Sequence, residues 1–318
     1  MVEKDTYVPP VNPDWSDWRD KVKENPDWFK NPTSTKGYIT IAQNSEDNDY
    51  LEMSYALALS LKATQKINKL CVCVDEETKK LITDRHREVF DAIVDIPWND
   101  DAKGDKWKIH NKWKYSHMTP YHETIILDSD MIFTDSVDHW WDYLSTKNLW
   151  FCTNVKTFRN EDVTSDYYRK KFTLLNLPNI YSNFTYFKKS QETFMFFKMV
   201  ELIMTHWNAY FDKFLSGMGQ NWMSADIAYA LAIQLLDIEE ETCDYDIKDV
   251  PTFVHMKSMV QNIPESEINS IWTKSITSEM GDDLQVKIGN FTQTLPVHYV
   301  EKNWMDSTKI KQLEDAVL

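Results

Sequence analysis

Glu123-Thr124-Ile125-Ile126-Leu127-Asp128-Ser129-Asp130-Met131-Ile132-Phe133 is an apolar run broken by two carboxylates one residue apart. The pattern predicts a short buried strand over Thr124 to Leu127 that delivers both carboxylates at its C-terminal end. Side chains alternate along a strand, so Asp128 and Asp130 share a face and Ser129 does not. Two hard oxygen ligands on one side, at the mouth of a sheet, suit a divalent cation such as Mn²⁺ or Mg²⁺. Such a cation keeps open positions for a diphosphate. Asp is also a common turn residue, so an isolated Asp-x-Asp more often only ends a strand. The surrounding sequence decides between the two.

Upstream, the chain alternates strands and helices. Tyr38 to Ala42 reads as a strand, and Asp49 to Ala63 carries Leu51, Tyr55, Ala58 and Leu59 at helical spacing. Leu70 to Val74 is a second strand, closed by Asp75-Glu76-Glu77. Thr78 to Phe90 reads as a helix, Ala92 to Pro97 as a third strand, and Lys106 to Met118 as a helix stopped by Pro120. The series is βαβαβαβ, which predicts an α/β fold with a mostly parallel sheet flanked by helices. In open α/β sheets ligands bind beyond the carboxyl ends of the strands. Ala42-Gln43-Asn44 and Asp128-Ser129-Asp130 both fall at such ends and are expected to line one cleft.

The second half changes character. Asn148 to Thr153 and Tyr181 to Phe187 read as strands, and Gln191 to Tyr210 as a long apolar helix. Asn221 to Leu236 reads as another helix, after the flexible Ser216-Gly217-Met218-Gly219. Pro251 to Met256 and Gln285 to Phe291 look like strands, and a surface helix follows from Asp306. The expected organisation is a Trp/Pro-rich arm over 1–35 bearing Trp15, Trp18 and Trp28, a nucleotide-binding half over 36–147, an acceptor and catalytic half over 148–305, and a terminal helix over 306–318.

With 318 residues and 42% hydrophobic content, the chain is long enough for a sizeable core. Aromatics reach 14%, including 13 Trp. Most of these belong in the core, but sugar clefts also use ring faces. Only 6 Gly occur, and neither G-x-G-x-x-G nor G-x-x-x-x-G-K-[ST] is present. A dinucleotide-binding glycine loop and a P-loop are thereby disfavoured. A net charge of −15 opposes broad binding to nucleic acid or anionic membranes, while leaving room for a local basic groove. Cys71, Cys73, Cys152 and Cys243 have no zinc spacing and read as reduced thiols of a cytoplasmic protein. No signal peptide or membrane-length apolar run is expected. The sequons at Asn183 and Asn290 are then coincidental.

In order and spacing, these features resemble the GT-A fold glycosyltransferases, specifically the family 8 type that includes glycogenin and bacterial galactosyltransferases. That family opens with a strand, a Tyr and a helix bearing Ser-Leu, as in Ile39 to Gln43, Tyr50 and Leu59-Ser60-Leu61. A Lys- or Arg-bearing helix leads into "vlyLDaDtlv", matched by Lys112-Trp113-Lys114 and Ile126 to Ile132. The strand "yfNsGvmlf" is similar to Tyr181 to Phe187, which keeps Asn183 but has no Gly. The helix opening in Asp-Gln corresponds to Ser224-Ala225-Asp226-Ile227, which lacks the Gln. The closing His, loop and Lys-Pro-Trp correspond to His298 through Lys302-Asn303-Trp304, with a shorter loop and Asn for Pro. The resemblance spans roughly residues 36–305. Thr119 to Ile125 and Asp138 to Trp141 also look like sequences from tailed bacteriophages, which would place the chain in the host cytoplasm.

The resemblance implies a GT-A-like (Rossmann-like) central sheet with a C-terminal acceptor-side extension, and a metal-dependent enzyme using a nucleotide-diphosphate sugar, UDP-linked by preference, with retention of configuration. It implies Asp128, Asp130 and His298 as ligands of Mn²⁺ or Mg²⁺; His255, which also ends an expected strand, is the rival to His298 and a weaker candidate for metal or substrate. Ala42, Gln43, Asn44, Tyr50, Lys112, Asp128, Ser129 and Lys302 would bind the nucleotide sugar. Lys106, Lys108, Lys112 and Lys114 form a positive patch in an acidic chain, equally readable as a solvated face. Asp226 and Asn183 would serve at the reacting sugar, although Asp226 could simply cap a helix. Tyr167-Tyr168-Arg169-Lys170-Lys171 could receive an anionic acceptor, although such a run is more often a solvated helix face. The acceptor itself is open: a glycan, a small molecule or a modified cytosine in DNA. The rival readings are a nucleotidyltransferase, in which Asp-x-Asp also holds metal, and a binding protein without activity.

Overall fold

The computed structural model describes residues 7–9, 35–163, 169–219, 221–245, 247, 249–256, 277–299 and 301–318. Trp15, Trp18 and Trp28 of the arm, and Tyr167 and Tyr168 of the basic patch, lie outside the described residues. The structure is mixed α/β, with a central, mostly parallel six-stranded sheet and helices on both faces.

The first strands are β1 (Lys36–Ala42), β2 (Leu70–Val74), β3 (Ala92–Asp95) and β4 (Glu123–Leu127). They pair in parallel in the order β3-β2-β1-β4. The short β5 (Met131–Ile132) leaves this sheet. Next come β6 (Leu149–Cys152) and β7 (Tyr181–Lys188), which extend it antiparallel, β7 beside β4 and β6 beside β7. The sheet therefore runs unbroken across position 147.

Alternation along β1 explains why it carries apolar residues on both faces. Tyr38 and Ala42 enter one core cluster, while Ile39 and Ile41 enter the other. A parallel strand covered on both faces reads as a continuous apolar run. On one face lies α1 (Tyr50–Thr64), buried from Leu51 to Leu61 except for Glu52. Asp49 caps α1 by accepting from the Glu52 amide at 3.1 Å. On the other face pack α2 (Gln191–Thr205), capped by Ser190, and α3 (Ala225–Leu236), capped by Ser224. The terminal α4 (Ser307–Val317) lies against α1, where the Tyr55 hydroxyl donates to Glu314 at 2.9 Å.

A second sheet, β5-β12-β8, positions the site. It joins β5 to β8 (Val254–His255) and β12 (Val297–His298). A hairpin sheet of β9 (Ser278–Met280), β10 (Val286–Ile288) and β11 (Phe291–Thr292) precedes β12.

Several expected elements are corrected. Thr78 to Phe90 is two short helices, Glu76–Lys79 capped by Asp75 and Asp84–Val89 opened by Thr83. Lys106 to Met118 is helical only from Lys112, as a 3₁₀ turn running into Tyr115–Met118. Asn111 accounts for the difference. Its amide nitrogen donates to Gln43 at 2.8 Å and Asp100 at 2.6 Å, and its amide oxygen accepts from the Asp101 amide at 3.2 Å. Such side-chain bonds compete with helix. Pro251 to Met256 forms only the two-residue β8, and Gln285 to Phe291 spans a turn, with Gly289 at φ +58° between β10 and β11. The helix expected over Gln191 to Tyr210 breaks at His206. The one expected from Asn221 starts at Ala225.

Gly37 sets a packing limit on β1. A Cβ there would stand 2.5 Å from the ring of Tyr121, which is buried and held by its hydroxyl donating to Asp91 at 2.9 Å. Gly37→Ala is expected to destabilise the fold by about 1–3 kcal/mol, read as a lower midpoint in thermal or urea unfolding.

Candidate metal centre and its cleft

Asp128 and Asp130 sit just past β4, in the turn before β5 rather than on a strand. Strand alternation is therefore not what brings them together. The turn buries Asp130, leaving its side chain 3% exposed, while Asp128 stays more open at 25%. β5 then pairs antiparallel with β12, placing His298 opposite Met131, and the Tyr299 amide donates to the Asp130 carbonyl at 3.1 Å. This backbone clasp brings in a histidine 168 residues away. One ligand atom each from Asp128, Asp130 and His298 lies within 4.8 Å of the others. Two carboxylates and one imidazole form a donor set suited to Mn²⁺ or Mg²⁺.

Both carboxylates are neutralised by lysines. Lys112 Nζ lies 2.6 Å from Asp128 Oδ1, and Lys302 Nζ lies 2.5 Å from Asp130 Oδ2. His298 Nε2 is 3.0 Å from the same Asp130 oxygen. Burial works against the charged form of Asp130. His298 and Lys302 outweigh it and hold the carboxyl well below the usual range. Burial likewise works against charged Lys302, and Asp130 reverses this and raises its pKa. His255 pairs in register with His298, with the rings 5.2 Å apart. Burial, then the neighbouring His298 and Arg169, push it well below the usual imidazole value. A neutral His255 is placed beside the His298 ring and outside the three-residue cluster.

These groups open into a cleft of about 510 Å³ at the carboxyl ends of β1 and β4. Gln43, Tyr50, Lys112, Asp128, Ser129, Asp130, His298 and Lys302 all line it. Lys302 Nζ stands 5.4 Å from the centre of the Tyr50 ring. Ala42 and Asn44 do not line it. Ala42 is buried in β1, and Asn44 Oδ1 accepts from the Leu51 amide at 2.9 Å, tying the loop to α1. Gln43 forms a floor, donating to Asp75 at 3.2 Å and Asp100 at 3.0 Å.

Sequence reading missed Asn48, Trp107 and Ile109, which also line the cleft, as does Lys108 of the expected positive patch. Trp107 is 63% exposed. Trp107, Lys108 and Ile109 reach it from a stretch that is not helical, and the long-range hydrogen bonds of Asn111 leave no periodic signal.

Asp226 is held on both oxygens. Oδ1 accepts from the Ser182 amide at 2.9 Å and the Ser182 hydroxyl at 2.6 Å, and Oδ2 accepts from Arg169 at 2.6 Å. Ser224, not Asp226, caps α3. Burial opposes the charge on Asp226, and Arg169, Ser182 and Lys112 prevail to lower its pKa. Arg169 also stacks 3.6 Å above the Tyr181 ring. It therefore serves the interior, whereas sequence reading assigned it to an acceptor patch. Asn183, on β7, is buried, and its amide nitrogen lies 3.2 Å from His298 Nδ1. A buried Asn183 is a poor glycosylation acceptor.

All four cysteines are free and buried. Among the described residues no helix is long and apolar enough to cross a membrane.

Removing Arg169 leaves Asp226 charged and largely shielded from water. Arg169→Leu is expected to cost about 3 kcal/mol near neutral pH. The pH dependence has a definite sign. A carboxyl lowered on folding contributes fully above its unfolded value, about 4, and loses that contribution as pH falls through the lower folded value. The gap between variant and wild type should narrow below about pH 4 in urea unfolding.

No protein-family model matches the chain, and no curated protein matches it in sequence. Among solved structures it is similar to mouse xyloside xylosyltransferase 1 at 12% identity, covering 66% of this chain and 84% of that one, with a TM-score of 0.44. It is similar to the glycosyltransferase GlyE of Streptococcus pneumoniae at 11% identity, covering 89% of this chain and 61% of that one, with a TM-score of 0.42. It is also similar to core-mannan synthase A of Aspergillus fumigatus in its Mn/GDP form, at 14% identity, covering 66% of this chain and 72% of that one, with a TM-score of 0.39.

Proposed function

We propose that this chain is a metal-dependent glycosyltransferase that takes a sugar from a nucleotide diphosphate donor, UDP-linked by preference. One observation carries the reading: two carboxylates and an imidazole converge within 4.8 Å in a cleft that also holds two lysines. Asp128, Asp130 and His298 would hold the cation, Mn²⁺ or Mg²⁺. When bound, it supplies Lewis-acid stabilisation of the departing diphosphate.

The remaining roles belong to the chain. Lys112 and Lys302 turn from the carboxylates to the phosphate oxygens. Tyr50 and the exposed Trp107 offer ring faces to the base. Gln43 is already fixed by Asp75, Asp100 and Asn111 and supplies a rigid floor. Asp226, with both oxygens engaged, is suited to orient the donor sugar and poorly suited to form a glycosyl bond. That favours attack by the acceptor from the face the diphosphate leaves, with retention, over a double displacement. The net charge of −15 favours a glycan or small-molecule acceptor over DNA.

The test is a panel of nucleotide sugars with and without Mn²⁺, followed by thermal stability and nucleoside diphosphate release. One donor should stabilise the protein in the presence of Mn²⁺, by about 2.7 kcal/mol at a hundredfold excess over Kd. Release should depend on the metal, and Asp130→Ala should abolish both responses. Release of pyrophosphate instead would identify a nucleotidyltransferase. Silence across the panel would refute the transferase reading.

A further inference from the structure

We propose that Asn183 is the positioning residue for His298: its side-chain amide partners Nδ1 in either tautomer of the ring, and thereby lets Nε2 become a cation ligand. The inference rests on the metal site proposed above and gives a buried residue of β7 a role in building it.

His298 is held at both ring nitrogens. Nε2 faces Asp130 Oδ2 at 3.0 Å, and Nδ1 faces the Asn183 amide nitrogen at 3.2 Å. A neutral imidazole carries one N–H and one lone pair. With the Asn183 nitrogen donating to Nδ1, the proton belongs on Nε2, where it donates to Asp130. That arrangement satisfies the ring without a cation, but it offers no lone pair to one.

Ligation through Nε2 requires the opposite tautomer. The proton moves to Nδ1 and needs an acceptor there. A half-turn of the Asn183 amide provides it, because Oδ1 and Nδ2 are nearly the same size and exchange places. The turn gives up only a long contact from Nδ2 to Met131 Sδ at 3.8 Å. One side chain can thus serve both states of the histidine, donating in one and accepting in the other. Hydrogen bonds of this outer kind fix ring orientation and raise ligand basicity at metal sites. A carboxylate at 183 would only accept and would hold Nδ1 protonated.

The experiment is Mn²⁺ titration of the full chain, read by electron paramagnetic resonance of free Mn²⁺, with unfolding midpoints measured without metal. Wild type is compared with Asn183→Leu, Asn183→Asp, His298→Ala and the Asn183→Leu/His298→Ala double variant. Asn183→Leu should weaken Mn²⁺ binding by about 10–100-fold, whereas Asn183→Asp should bind at least as tightly as wild type. In the His298→Ala background Asn183→Leu should change nothing further, since its effect runs through the ring. An affinity within twofold of wild type for Asn183→Leu, or an equal loss with and without His298, overturns the proposal. So does an Asn183→Asp variant that folds and binds as weakly as Asn183→Leu. If Asn183→Leu does not fold, the comparison of Asn183→Asp with wild type decides alone. Wild type that takes up no Mn²⁺ refutes the metal site itself, an outcome distinct from a tight site indifferent to position 183.

Discussion

The carboxylate of Asp130 constrains the rest of the site. A carboxylate this well shielded is stable only with charged or hydrogen-bonding partners around it. Those partners, His298 and Lys302, come from the far end of the chain. Their delivery explains features that otherwise look incidental: the two-residue β5, its pairing with β12, and the Tyr299 amide on the Asp130 carbonyl. The parallel sheet presents Asp128 and Asp130 at one edge of the cleft. The small second sheet closes that edge with an imidazole, and the 3₁₀ turn Lys302–Trp304 adds an ammonium.

The legible parts of the sequence were those governed by local pattern. The parallel strands announced themselves as apolar runs because both faces are covered, and α1, α2 and α3 by sustained helical content, although the end of α2 and the cap of α3 at Ser224 did not. Asp128 and Asp130 were legible as a pair, though the reason given, strand alternation, was replaced by a turn. What escaped was governed by side-chain bonds between distant residues. Nothing in the spacing of Lys106 to Met118 shows that Asn111 will bond Gln43 and Asp100 instead of continuing a helix. Nothing around Arg169 shows that it will reach inward to Asp226. Such partners are chosen by the tertiary fold, and a linear pattern of charges cannot separate a buried clasp from a solvated face.

The cleft is a compromise between order and readiness. Its floor is rigid, with Gln43, Asn111 and Asp100 satisfying one another. Its walls are provisional, since Lys112 and Lys302 rest on carboxylates that a cation would claim. Two opposite-charge pairs make the region nearly neutral by themselves, which helps to hold Asp130 in its charged form. Asp226 lies outside that exchange, fixed from two sides by Ser182 and Arg169.

The sequence separations of 168 and 172 between Asp130 and its partners also bear on how the protein is made. Contacts this distant along the chain are costly to close and tend to form late. As the chain leaves the ribosome, the strands around β4 emerge long before β12. Until β12 has been made, the nascent polypeptide carries its Asp-x-Asp turn without the histidine or the lysine that balance it. The cluster is thereby completed only when β12 docks on β5, with α4, which follows it in the chain, packing on α1.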